Sequence, residues 1–86
     1  MNDIVENAPE RQMTYGEKLV GLNFNPSNDD KVSKAKRLCA DLADLVKDEF
    51  DTSVHNSALQ RQLFDHAIGE ILNAQMNAVK VLTFKY

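Results

Sequence analysis

Between Lys31 and about Glu49, apolar residues recur at three- and four-residue steps, which is the period of one helix face. Ser27 and Asp29 are candidates for the N-cap of this helix, and Asp30 adds negative charge to its first turn. The pattern predicts an amphipathic helix with one apolar stripe directed toward the core. That stripe consists of Val32, Ala35, Leu38, Cys39, Leu42, Leu45, Val46 and Phe50.

A second helix is predicted from about Ser57 to Phe84, and at ~1.5 Å per residue it would be about 40 Å long. Ser53 and Ser57 are its possible N-caps. Gln75 lies in register with apolar positions, either inside a helix–helix seam, where one polar group can set oligomeric state, or at a partly hydrated seam edge. The apolar residues cover more of the circumference than one hairpin partner can bury, which predicts self-association. They are Leu59, Leu63, Phe64, Ala67, Ile68, Ile71, Leu72, Ala74, Met76, Ala78, Val79 and Leu82.

The segment before these helices is rich in turn-forming residues. Thr14 and Glu17 have the spacing of a capping box that would open a short helical turn, and Gly21 would end it. Pro26 lies in a polar, turn-rich run that precedes the first long helix. Residues 1–10 are polar and show no periodicity, so we expect a flexible arm there and a single domain over residues 11–86.

Composition narrows the class of protein. With 86 residues and 43% hydrophobic residues, the chain fits one all-α domain, a short helical turn and loop followed by an antiparallel helical hairpin. A core of this size is thin, and assembly into a homo-oligomer would supplement it. The single cysteine, Cys39, excludes an intrachain disulfide and fits a reducing cytosol. The sequence shows neither a signal-peptide pattern nor a long apolar run, so we expect neither secretion nor a membrane span. The net charge of −3 argues against binding polymeric nucleic acid.

The residue types needed for metal binding or catalysis are scattered. Cys39, His55 and His66 are isolated in the sequence, so we predict no metal site, and no cofactor motif is present. Cys39 lies on the predicted apolar stripe without an oriented base. We therefore expect a binding protein and not an enzyme. A solvated acidic surface is the simpler interpretation of three aspartates on one helix face, Asp41, Asp44 and Asp48.

Cations crowd the first two turns of the first long helix, where the helix macrodipole disfavours positive charge. A phosphate bound at the helix N-terminus would offset this conflict, since that end presents free N–H groups to anions. The alternative is a solvated face with ion pairs between residues four apart. The cations are Lys31, Lys34, Lys36 and Arg37.

Two further features point to an aromatic, anionic ligand. Tyr15 could stack on a nucleobase, and Gly16 beside it would allow close approach of a ligand. Alternatively, Tyr15 packs across the hairpin. Asn25 and Ser27 offer an amide and a hydroxyl to a base edge or a phosphate, or they form only a turn and a helix cap.

Two segments also carry a family resemblance. RQMTYGEKLVGLNFNPSNDDKV over residues 11–32 and NAQMNAVKVLTFK over residues 73–85, with the helix between them, resemble the phage anti-CBASS cyclic-oligonucleotide sponge family (anti-CBASS protein two). The similarity extends from Arg11 to Lys85. It implies an all-helical protomer that interlocks into a homohexamer in the cytoplasm of the infected bacterial host. Such proteins hold cyclic dinucleotides, for example cyclic GMP–AMP, and cyclic trinucleotides without cleaving them, so that host CBASS effectors are not activated.

The resemblance also implies roles for individual residues. In the dinucleotide site, Tyr15 would stack on a base and a lysine would meet a phosphate. For the trinucleotide site it suggests Lys34 and Arg61. The residues implied for the dinucleotide site are Tyr15, Gly16, Lys18, Asn25, Ser27 and Lys31.

The chain departs from the family pattern at two positions. Asn28 stands where a glycine commonly follows Asn-Pro-Ser, and asparagine also tolerates a left-handed backbone. Asn77 replaces a tryptophan common in the C-terminal motif, which puts any stacking or interface role there in doubt. Two other functions are open from the sequence: a helical adaptor or inhibitor acting through protein contacts, and a small DNA-binding regulator, which the net charge disfavours.

Overall fold

The computed structural model describes residues 12–54 and 57–85, and these form three helices and no strand. Helix α1 spans Tyr15–Val20, α2 spans Asp30–Thr52 and α3 spans Ala58–Leu82. Helices α2 and α3 pack as a hairpin, and α1 packs mainly on α2. The all-α fold and its hairpin are therefore as predicted. The expected N-terminal arm, Arg11 and His55 lie outside the described residues.

Local sequence signals set the ends of α1. The Thr14 hydroxyl accepts a hydrogen bond from the Glu17 amide, and the Glu17 carboxylate accepts one from the Thr14 amide, which completes the predicted capping box. Gly21 ends the helix in a left-handed conformation with φ of 64°. Its amide donates to the carbonyls of Glu17 and Lys18.

The two long helices begin at predicted caps. The Asp29 carboxylate accepts from the Lys31 amide at 2.8 Å, which selects Asp29 over Ser27 as the N-cap of α2. Asn28 before it has φ of 56°, so this asparagine does take the left-handed conformation expected of it. Ser57 caps α3 and accepts from the Gln60 amide at 3.1 Å.

The predicted apolar stripe of α2 is correct only in part: Val32 and Phe50 are buried, but its three leucines are not. The exposed fractions of Leu38, Leu42 and Leu45 are 65%, 48% and 67%. The small residues of α2 lie inward because α1 lies directly against them, and bulky leucines on that face would hold the two helices apart. The buried residues of α2 are Val32, Lys36, Ala40, Ala43 and Phe50.

Aromatic rings close the hairpin at the end where α2 leads into α3. Phe50 and Phe64 are both buried, and their rings stack with centroids 4.5 Å apart. Tyr15 of α1 packs against the same cluster, with its ring centroid 6.4 Å from that of Phe64. The core of the protomer thus runs from this aromatic cluster along the facing sides of α2 and α3.

Helix α3 has many apolar residues outside the protomer core. The sequence predicted this, because its apolar residues cover more of the helix than one partner can bury. Its buried residues are only Phe64, Ile71 and Gln75. Among the described residues, no helix is both apolar enough and long enough for a membrane crossing. The exposed large apolar residues from α3 onward are Leu59, Leu63, Met76, Val81, Leu82 and Phe84.

Candidate functional site

A groove of about 390 Å³, here called the loop groove, lies between the turn before α2 and the C-terminal half of α3. Pockets of this size lie in the range that accommodates small ligands. The groove brings together the Phe24–Ser27 turn and the Gln75–Val79 stretch of α3, which are the two segments that carry the family resemblance. Its lining residues are Phe24, Asn25, Pro26, Ser27, Val32, Lys36, Gln75, Met76, Val79 and Thr83.

The turn that forms one wall is organised by Asn25. The side-chain amide of Asn25 donates to the Asp29 carbonyl at 3.0 Å and to the Ser33 hydroxyl at 2.9 Å. Its side-chain oxygen accepts from the Ser27 hydroxyl at 2.7 Å and from the Asn28 amide at 3.1 Å. An asparagine side chain has two donors and one oxygen with two lone pairs, so Asn25 is fully engaged in shaping the turn. Asn25 and Ser27 therefore have the turn-and-cap role that the sequence left open, and a ligand would have to share or replace these bonds.

Lys36 anchors the same loop from α2. Only 6% of this residue is exposed, and its ammonium donates to the carbonyl of Gly21 at 3.0 Å and to the carbonyl of Phe24. The ammonium also lies 5.4 Å from the centroid of the Phe24 ring. Lys36 is thus a buried structural cation and not a member of an exposed basic cluster. The sequence signal that could have indicated this is the loop of turn residues before α2, whose carbonyls need donors.

The neighbouring cation, Arg37, is also engaged. Its guanidinium donates to the buried Glu17 carboxylate at 2.8 Å and to the Asp41 carboxylate at 2.8 Å. The hydrogen bond to Glu17, followed by that to Asp41, raises the pKa of Arg37, so the group stays charged. The predicted basic cluster therefore divides. Lys36 and Arg37 hold the fold together, while Lys31 and Lys34 are exposed and form no ion pair within the described chain.

Tyr15 and Gly16 lie at the start of α1, away from the loop groove. The Lys47 ammonium is 5.4 Å from the centroid of the Tyr15 ring, and 36% of Tyr15 is exposed. Gly16 is buried against the Ala40 backbone, and its amide donates to the Asp44 carboxylate at 2.6 Å. The ring thus packs on the hairpin and keeps part of its face open, while the close approach at Gly16 is to another helix.

The residues predicted for the dinucleotide site form two groups in one protomer. Tyr15 contacts α2 near Lys47, whereas Asn25, Ser27 and Lys31 lie at the N-terminal end of α2. At ~1.5 Å per residue, the sixteen-residue interval from 31 to 47 corresponds to roughly 24 Å along the helix axis. One small ligand cannot contact both groups of the same chain.

The two residues predicted for the trinucleotide site are also separated. Lys34 is exposed near the start of α2. Arg61, in the first turns of α3, has its guanidinium carbon 5.3 Å from the centroid of the Phe50 ring and lies 3.6 Å from Asp65. Because α3 runs antiparallel to α2, the two cations lie toward opposite ends of the hairpin. Lys18 of α1 is exposed and, in the described part of the chain, is in no ion pair.

A second groove, of about 430 Å³, lies where α2 leads into α3 and contains none of the predicted site residues. Like the loop groove it is lined mostly by apolar side chains, and the side-chain oxygen of Gln60, one of its lining residues, is buried without a described partner. We consider the loop groove the better ligand site, because both resemblance-bearing segments line it. The lining of this second groove is Leu45, Val46, Glu49, Phe50, Gln60, Leu63, Phe64 and Ala67.

In the part of the chain that the structure describes, the Cys39 thiol and the possible metal ligands lack the surroundings of a reactive or metal-binding site. Cys39 is half-buried, and this burial raises the pKa of its thiol, which favours the unreactive protonated form at neutral pH. Within residues 12–54 and 57–85, no three His, Cys, Asp or Glu side chains come close enough together to hold a metal ion.

No protein-family model, curated protein or solved structure matches this chain. The resemblance to the sponge family therefore rests on the two sequence segments alone.

Proposed function

We propose that this protein binds cyclic dinucleotides and cyclic trinucleotides in the cytoplasm of an infected bacterial host and holds them without cleavage, as a homo-oligomer. Host CBASS effectors would then not be activated. The proposal names no catalytic residue, metal or cofactor. The observation that supports it best is the loop groove, in which the two segments similar to the sponge family line a cavity of about 390 Å³.

Two properties of the protomer agree with a site completed by a second copy. The predicted ligand contacts fall in two groups roughly 24 Å apart along α2, which a neighbouring protomer could bring together at one ligand. The leucines of α2 and the outer surface of α3 leave several large apolar side chains exposed, which is a feature of surfaces that a partner covers. In this proposal, Tyr15 of one copy would meet the Lys31 end of another.

The test is titration calorimetry with cyclic GMP–AMP, followed by chromatography of the nucleotide released by heating. We expect binding and return of intact nucleotide. Tyr15→Leu should weaken binding because it removes the aromatic face that would stack on a base. Leucine is chosen because it keeps an apolar contact with Phe64. Lys31→Met should also weaken it, whereas the control Lys85→Met should not. Absence of binding by the wild type would contradict the proposal. Release of linear nucleotides would show that the protein hydrolyses its ligand and does not sequester it.

The alternative is an adaptor or inhibitor that works through protein contacts. The exposed row Leu38, Leu42 and Leu45 favours it, since such a row fits a partner helix as well as a second copy. A monomer in sedimentation experiments, combined with no thermal shift from any cyclic nucleotide, would support this alternative and contradict the nucleotide proposal.

A further inference from the structure

We propose that Gln75 is the base-reading residue of the loop groove and that the groove takes an adenine base edge-on against the Gln75 amide. This inference rests on the proposed function, because the base is taken to belong to a cyclic nucleotide. It adds a preference among bases, which neither the composition of the chain nor the resemblance supplies.

Gln75 is a buried residue whose side chain lies against the loop groove. Only 6% of the residue is exposed, and it lines the loop groove from α3. Across the described residues, its side-chain amide has no hydrogen-bond partner. Among the described residues, Oε1 of Gln60 is the side-chain atom that is fully buried without a partner, so the Gln75 amide keeps contact with solvent in the groove. A ligand could replace that water and accept or donate the hydrogen bonds itself.

Three other polar side chains around the groove already form hydrogen bonds within the protein. Asn25 uses all of its hydrogen-bonding positions within the turn, and the Ser27 hydroxyl donates to Asn25 and accepts from the Asp29 amide at 3.3 Å. The Thr83 hydroxyl donates to the Val79 carbonyl at 2.8 Å. The Gln75 amide is therefore the side chain best placed to recognise a ligand by hydrogen bonds, and the surrounding wall is mostly apolar.

The hydrogen-bonding pattern of a single carboxamide determines which ligand group it can recognise. It offers a donor beside an acceptor in one plane, and it pairs with a flat group that presents the complementary acceptor and donor. Adenine has such a pair on both exposed edges, at N6 with N7 and at N6 with N1, and glutamine paired with adenine N6 and N7 is a common recognition pair. Guanine presents two acceptors, N7 and O6, on the corresponding edge, and its adjacent donor–acceptor pairs lie on other edges, at N1 with O6 and at N2 with N3.

Phe24 and Met76 supply the faces for such a base. The Phe24 ring lies at the mouth of the groove with 70% of the residue exposed, so its face can stack on a base. Met76 is 57% exposed and presents a flexible thioether beside Gln75. Together they would hold the base between two soft apolar surfaces while the amide reads its edge.

The test compares cyclic di-AMP with cyclic di-GMP by titration calorimetry of the full chain. We expect the wild type to prefer cyclic di-AMP and Gln75→Leu to reduce that preference roughly tenfold or more, since a bidentate pair of this kind discriminates by about 1–3 kcal/mol. Gln62→Leu is the matched control, because Gln62 is an exposed glutamine on the same helix. Phe24→Ala should weaken both ligands without changing their ratio.

The outcomes separate the two proposals. If the wild type binds cyclic nucleotides and Gln75→Leu leaves the ratio between the two unchanged, the role of Gln75 is wrong and sequestration stands. If the wild type binds neither cyclic nucleotide, the proposed function fails, and this inference fails with it. Circular dichroism checks whether Gln75→Leu is folded. If it is not, Phe24→Ala provides the test, because unchanged affinities in that variant would show that the base does not bind in the loop groove.

Discussion

Gly16 of α1 lies so close to Ala40 of α2 that a Cβ added to the glycine would be 2.0 Å from the Ala40 carbonyl oxygen. The neighbouring carbonyl carbon would be only 2.8 Å away. Because the obstruction is backbone and not a flexible side chain, the two helices would have to separate to admit even a methyl group. This contact fixes where α1 lies on the hairpin.

We therefore expect Gly16→Ala to destabilise the protein by about 1–3 kcal/mol, the usual cost of overpacking a close contact. Gly69→Ala is the matched control, because Gly69 is within α3 and its added Cβ meets nothing within 4 Å. The control should stabilise the helix by up to ~1 kcal/mol. Urea denaturation measures both variants, and equal stability of the two would contradict the close contact.

Lys36 provides the second prediction. Lys36→Met keeps most of the side-chain volume but leaves the carbonyls of Gly21 and Phe24 without their donor. The expected loss is about 1–3 kcal/mol in the free energy of unfolding. Lys34→Met, on an exposed part of the same helix, should change stability by less than about 0.5 kcal/mol. A stability of Lys36→Met close to that of the control would mean that the loop does not depend on this anchor.

The exposed leucines of α2 provide the third prediction. If the chain assembles, Leu42→Asp should weaken the assembly, since it places a charge in the covered apolar surface. It should change the stability of the protomer little, because 48% of Leu42 is exposed. Analytical ultracentrifugation measures the assembly, with Asp48→Asn on an exposed polar position of α2 as the control. An unchanged oligomer in Leu42→Asp would exclude this surface from the interface.

The thiol of Cys39 gives a prediction about pH. Because burial raises its pKa, the folded state holds the proton more tightly than the unfolded state does. The free energy of unfolding should then fall as the pH rises above the ordinary thiol value, and the fall should be smaller in Cys39→Ala. At pH 8, alkylation of the folded protein should be slower than that of the urea-unfolded chain. Equal alkylation rates would contradict the burial of the thiol.

The ends of the helices could be predicted from the sequence because the signals that set them are local. Thr14 with Glu17, Gly21, Asp29 and Ser57 each act within a few residues of the helix end that they fix. The buried face of α2 could not be predicted in this way. Leu38, Leu42 and Leu45 gave the strongest apolar signal in the middle of α2, yet they stay exposed. The face toward α1 is formed by small residues such as Ala40 and Ala43, which carry little hydrophobic signal.

In the candidate site, too, only the features set by neighbouring residues could be predicted from the sequence. That Asn25 and Ser27 work together follows from their separation of two residues. That Gln75 joins them depends on how a distant part of α3 packs on the turn, for which no local pattern exists. Lys36 is the clearest case, since its charge predicts exposure and only the position of the loop carbonyls explains its burial.

The shortness of α1 has a consequence for how the protein moves. A helix of six residues is far too short to persist by itself, so α1 exists only while Gly16, Glu17 and their partners on α2 hold it. We therefore expect α1 to open by local unfolding, with its amides exchanging hydrogen faster than those of α2. Tyr15 would be in place only while the helix is docked. Binding of a ligand that contacts Tyr15 would then slow hydrogen exchange at the α1 amides. The measured affinity would include the free energy of holding α1 docked on the hairpin.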